Sequence, residues 1–180
     1  RKRGHDVTIL IADRPRFRSL RRSLRLMTLV AKEPWSQTYR HKATLLRGRR
    51  RMEAAVWRRL ARRVDLVAWA RRIEARLPIP PYVYDALNEA QPDLLLWPTL
   101  IHMDAVENDW VKAAKKLGIM VMAAPASFDT LTTKGAFLVR PDSLLVWGIE
   151  SRDHAIKYHG FRDHQIAVTG PPHWEVYAEP

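Results

Sequence analysis

Four short apolar runs between residues 92 and 170 constrain the fold more than any other feature of the chain. They read "PDLLLWPT" from Pro92, "IMVMAA" from Ile119, "PDSLLVWG" from Pro141 and "QIAVTG" from Gln165. Each is too short for a typical helix and is bounded by Pro, Gly or Asp, so each reads as a buried strand. Two helical stretches lie among them. One covers residues 104–117 and is closed by Gly118; the other, "IESRDHAIKYHG", is closed by Gly160. Strand, helix, strand, loop, strand, helix, strand is the α/β rhythm. It predicts a Rossmann-like, mainly parallel sheet flanked by helices.

The first half reads differently. "VTILIA" from Val7 is continuous and β-branched, which predicts another buried strand. Residues 19–30 alternate Arg with Leu at helical spacing, and Pro34 ends that pattern. Residues 35–49 carry no clear period. Residues 50–77 contain no Gly or Pro and predict one long helix, with Val56, Leu60, Val64, Val67 and Ala70 as its apolar stripe. "PIPP" at 78–81 breaks it.

Charge follows the same division. Residues 1–77 hold 23 Lys and Arg against 6 Asp and Glu, a balance of +17, while the rest carries −5, for a net +12. A basic half predicts an anionic partner: a phospholipid surface, a nucleic acid or a phosphorylated substrate. Arg58, Arg59, Arg62 and Arg63 are the predicted anion-binding or membrane-binding residues. Nucleic acid is disfavoured, because no recognition motif is present and Trp57 and Trp69 read as helix-packing residues. No run of eighteen apolar residues exists. With no cysteine, disulfides, thiolate catalysis and Cys-ligated metals are excluded.

In a parallel sheet, ligands bind outside the carboxyl ends of the strands. The loops there cover residues 13–17, 98–104, 125–134, 147–150 and 169–174. "ASFDTLTTKG" from Ala126 is the most polar of them. Ser127, Thr130, Thr132 and Thr133 can donate to sugar hydroxyls or phosphate, Lys134 can pair with phosphate, and Asp129 can act as a base. The plainer alternative is an Asx turn at Asp129 followed by a permissive Gly135. In "HMDAVENDW", His102 can meet substrate, while Asp104 and Glu107 have the D-x-x-E spacing of a helix cap rather than a metal site. His154, His159 and His164 are five apart, so they share no helix face as a metal pair would. His159, just before Gly160, is expected to meet its own helix's C-terminal dipole. No metal site is predicted.

"RGHDVTIL", "VKAAKKLGIMVMAAPASFDTLTTKG", "PDSLLVWGIESRDHAIKYHG" and "IAVTGPPHWEVY" together resemble GT-B type glycosyltransferases. The resemblance is to a bacterial branch near the polyglycerol-phosphate transferases and the UDP-N-acetylglucosamine 2-epimerases. It departs at Phe128, where Trp is usual, and at Thr130, where Asn is usual.

The resemblance implies an N-terminal, acceptor-side Rossmann-like domain over residues 1–170, with a first strand missing. Residues 171–180 would begin the crossover to a C-terminal domain that binds the nucleotide-sugar donor. It implies Asp129 as catalytic base, and substrate contacts from His102, Asp104, Ser127, Thr130, Thr132, Thr133, Lys134, Thr169 and Gly170. It implies a sugar or lipid-linked acceptor, no cofactor held by this chain, and no turnover by these residues alone. The expected location is cytoplasmic and peripheral on the inner face of the cell membrane. The alternatives are a sugar-nucleotide 2-epimerase and a non-catalytic anion-binding module.

Overall fold

The computed structural model describes residues 6–9, 17–33, 37–98 and 107–171. Five helices come first: α1 (Arg18–Lys32), α2 (Gln37–Thr44), α3 (Arg49–Ala61), α4 (Leu66–Arg76) and α5 (Pro81–Ala90). Strands and helices then alternate: β1 (Leu94–Trp97), α6 (Glu107–Lys116), β2 (Met120–Ala123), α7 (Thr130–Thr133), β3 (Ser143–Val146), α8 (Ile149–His159) and β4 (Ile166–Val168). The strands form one sheet in the order β1-β2-β3-β4, parallel at every pairing. Among the described residues the chain is therefore α/β with an all-parallel, four-stranded, Rossmann-like sheet.

The four predicted strands are all present, but they are not buried on both faces. Leu95, Val121, Ala123, Leu144 and Val146 point into the core, where they meet Val83, Leu87, Trp110, Val111 and Phe161. Leu94, Leu96 and Met120 point the other way and are exposed. Side chains alternate along a strand, so helices packed on one face leave the second face open among the described residues. A second cluster joins Leu24 and Met27 of α1 to Leu66 and Ala70 of α4. Leu138, from the segment before β3, belongs to the same cluster and joins the helical first half to the sheet domain.

Two expectations from the first half need correction. The long helix is two helices. Asp65 turns the chain, and its carboxylate accepts from the backbone N–H groups of Val67 (2.9 Å) and Ala68 (3.0 Å), capping α4. The predicted strand from Val7 is absent where it can be followed. Residues 6–9 carry no strand, with Val7 and Ile9 exposed; residues 10–12 lie outside the described residues. On α1, Arg21 and Arg25 are fully buried beside the Leu residues with which they alternate. Pro81 opens α5 at its first position, where its missing N–H costs nothing.

The Asp65 cap has a measurable consequence. Asp65→Ala should lower stability by about 1 kcal/mol and the melting temperature by about 2–4 °C. An unchanged melting temperature would mean that packing of Leu66 and Ala70 alone starts α4.

Candidate functional site

Parallel strands send all their following loops to one edge. Ala123 at the end of β2 pairs with Leu144 of β3, and Val146 at the end of β3 pairs with Val168 of β4. The loops after Ala123, Val146 and Val168 therefore emerge side by side. Backbone bonds stitch them together: Ala124 N–H donates to the Trp97 carbonyl at 3.0 Å, and Thr169 N–H to Val146 at 2.9 Å. The Trp147 indole N–H donates to the Pro125 carbonyl at 2.9 Å.

The loop 125–134 folds around Asp129. Its carboxylate accepts from the hydroxyls of Ser127 and Thr133. Its carbonyl accepts from Thr132 and Thr133 hydroxyls and from both their backbone N–H groups. This closes the short helix α7. Asp129 thus serves as the centre of a turn, and its half-buried carboxylate sits at the carboxyl edge of the sheet.

The same loop is fastened from beneath. The Leu131 carbonyl accepts from the Tyr39 hydroxyl of α2 at 2.7 Å and lies 2.7 Å from Nε2 of His159 at the end of α8. Ala136 N–H donates to the Thr28 hydroxyl at 3.1 Å, and the Arg25 guanidinium donates to the Ala136 carbonyl at 2.8 Å. Gly135 has φ of +85°, and a Cβ there would sit 2.7 Å from the Thr28 hydroxyl oxygen. Only glycine passes α1 at this distance.

His159 does not act as a cation on its own helix end. It is buried, and burial, with Lys32, Arg71 and Arg25 nearby, pushes its pKa down to about 3. The ring is neutral and serves as an anchor for Leu131.

The predicted site residues fall into separate places. Ser127, Asp129 and Thr132 lie in the loop with partly accessible side chains, while Thr130 is buried. Thr169 is exposed after β4, its hydroxyl 3.4 Å from the Val146 carbonyl, and Gly170 follows with φ of +79°. Thr133 and Lys134 line a hollow against α1 and α3. His102 and Asp104 lie outside the described residues. Glu107, read as the second half of a cap, is buried and pairs with Arg25 at 3.1 Å. Of the basic cluster, Arg58 is committed to Glu33 by two bonds of 2.8 and 3.0 Å. Arg59, Arg62 and Arg63 are exposed at the end of α3 and the turn after it.

Sequence reasoning missed one feature of this edge. Phe128 is 68 % exposed and stands beside Trp147, ring centroids 6.4 Å apart. A large aromatic within a polar loop was the available signal. Among the described residues no His, Asp or Glu group is arranged to hold a metal ion, and no helix is long and apolar enough to cross a membrane. No family model, no curated protein and no solved structure matches the chain.

Proposed function

We propose that the chain is the acceptor-side domain of a glycosyltransferase-like enzyme that draws a sugar, or a related group, from a nucleotide-activated donor. The observation that carries this reading is the edge just described. An exposed Phe128 face stands beside the hydroxyls of Ser127 and Thr132, at the carboxyl end of a parallel sheet. An aromatic face takes the C–H side of a pyranose ring, and short hydroxyls take its O–H groups. The sequence resemblance supplies the reaction class, and the donor would sit on a second domain.

In such a transfer the acceptor oxygen attacks the anomeric carbon while the bond from that carbon to the nucleoside diphosphate oxygen breaks. The acceptor's proton goes to a base. Asp129 is the carboxylate on this loop, held in place by the Ser127 and Thr133 hydroxyls, and is the proposed base.

The test uses the full-length protein with a panel of UDP- and CDP-linked sugars. Asp129→Asn preserves the turn geometry and removes the base. Turnover should fall about a hundredfold, the lower end of a general base's contribution, with the circular dichroism spectrum unchanged. Turnover within twofold of the parent would leave Asp129 as a turn residue only. Absence of transfer from every nucleotide sugar by the parent protein would reject the transferase reading itself.

A further inference from the structure

A hollow of about 820 Å³ lies between α1 and α3, on the side where residues 133–134 come close. Its inner wall is aliphatic, from Leu26, Leu29, Leu46 and Val56. Leu26 is buried, and Leu29 and Leu46 are partly so. Its exposed lining is cationic, from Arg49, Arg50 and Lys134, with Arg22 partly buried beside them. Glu53 is the one acid among the lining residues, and its carboxylate already accepts from the Ser23 hydroxyl and the Trp57 indole. Arg49, Arg50 and Lys134 form no ion pair among the described residues.

The apolar surface does not stop at the hollow. Met52 and Val56 are 69 % and 57 % exposed, and Leu60 continues their line one turn further along α3. These residues are four apart, so they share one face over about 12 Å of helix. Leu45, exposed, stands next to Leu46. A site with exposed cations beside an aliphatic trough has the chemistry of a molecule with an anionic head and a hydrocarbon chain.

We infer that this hollow binds an anionic lipid. The head lies among Arg49, Arg50 and Lys134, and the chain runs against Leu26, Leu29, Met52 and Val56 toward Leu60. The other occupants fit less well. A single-stranded nucleic acid needs aromatic platforms for its bases, and the lining has none. A second copy would set one Arg-rich surface against another. A bare phosphate leaves the aliphatic wall unused. The inference stands whether or not the chain is a transferase, because it rests on binding alone.

The test is calorimetric titration of the chain with dodecyl phosphate below its micelle concentration, with inorganic phosphate and dodecyl maltoside as separate titrants. Dodecyl phosphate should bind saturably, and each control should bind at least about tenfold more weakly. The triple variant Arg49→Gln, Arg50→Gln, Lys134→Gln should lose about tenfold or more in affinity, since each cation near an anionic group adds a similar increment. Val56→Asp should lose a comparable factor through the chain. All four positions are exposed, so the circular dichroism spectrum should be unchanged; Lys134→Gln alone provides a milder variant. Arg72→Gln with Arg76→Gln, exposed on α4 and outside the hollow, should leave binding within twofold.

Four results overturn the inference. Inorganic phosphate binding as tightly as dodecyl phosphate would show an anion site without a chain groove. Dodecyl maltoside binding as tightly would show surfactant adsorption. An unaffected triple variant would remove the head site. Equal loss in the Arg72 and Arg76 variant would reduce the effect to overall charge.

Discussion

Arg21→Met should destabilise the protein by about 3–5 kcal/mol. Arg21 is fully buried, and its guanidinium is shared by two carboxylates. It donates to Glu74 at 2.9 and 3.2 Å and to Asp109 at 2.8 Å. Lys112 completes the group, 3.1 Å from the Glu74 carboxylate and 3.3 Å from Asp109, and also donates to the Glu74 and Leu77 carbonyls. The four charges cancel. Burial opposes the charge on Arg21, but the bonds from Asp109 and Glu74 outweigh it and raise its pKa. Removing Arg21 alone leaves two buried carboxylates facing one ammonium. That cost is large against the roughly 5–15 kcal/mol that hold a domain together.

A second variant separates this cause from lost packing. Arg21→Met with Glu74→Leu leaves Asp109 and Lys112 as a neutral pair. It should recover much of the loss, because a buried ion pair replaced as a unit by apolar groups is often close to neutral. Urea unfolding of the parent and both variants measures this. With a slope of about 1–3 kcal/mol per molar urea, the single variant's midpoint should move by more than 1 M. A single variant within about 1 kcal/mol of the parent, or a double variant no better than the single, would refute the account.

This charge group also shows where the sequence stops being legible. Strands β1 to β4 were readable because each apolar run is short and bracketed by Pro, Gly or Asp. The end of α8 was readable because Gly160 takes the left-handed conformation, with φ of +70°, that a helix terminus needs. The break between α3 and α4 was not readable. No Gly or Pro marks it, and the apolar stripe runs straight through Val64; Asp65 before Leu66 was its only signal. The fates of Arg21, Arg25, Glu107 and Asp109 were hidden for a different reason. Their partners lie 53 to 88 positions away, and a local pattern can only rate an Arg as exposed or an acid as a cap. The loop 125–134 was legible as a polar loop at the right edge of the sheet. That it divides, with Asp129 facing the sheet edge and Thr133 and Lys134 lining the hollow by α1 and α3, depends on how Gly135 passes Thr28.

Acid should weaken the fold through His159, and the sign follows from its burial. The unfolded imidazole has a pKa near 6.5, and the folded one is pushed down to about 3, first by loss of solvent and then by Lys32, Arg71 and Arg25. Below pH 6.5 the unfolded state gains a proton that the folded state refuses. The contribution is therefore complete above about pH 7 and is lost as pH falls from 6.5 toward 3, by about 1.4 kcal/mol per unit. By pH 4 the loss should reach about 3 kcal/mol. The groups around the ring fit a neutral donor. Nε2–H meets the Leu131 carbonyl, Phe137 packs edge-on with centroids 5.0 Å apart, and the Tyr39 hydroxyl shares the same carbonyl. His159→Gln keeps an N–H for Leu131 and removes the titration. Stability of parent minus variant, taken from urea midpoints at each pH, should be flat above pH 7 and fall steadily below 6.5. A difference that stays flat to pH 4 would place the proton elsewhere. Protonation would fall on Nδ1 and leave Nε2–H on the Leu131 carbonyl, so acid acts by burying a charge beside Lys32, Arg71 and Arg25 and not by releasing the loop that Leu131 and Tyr39 hold.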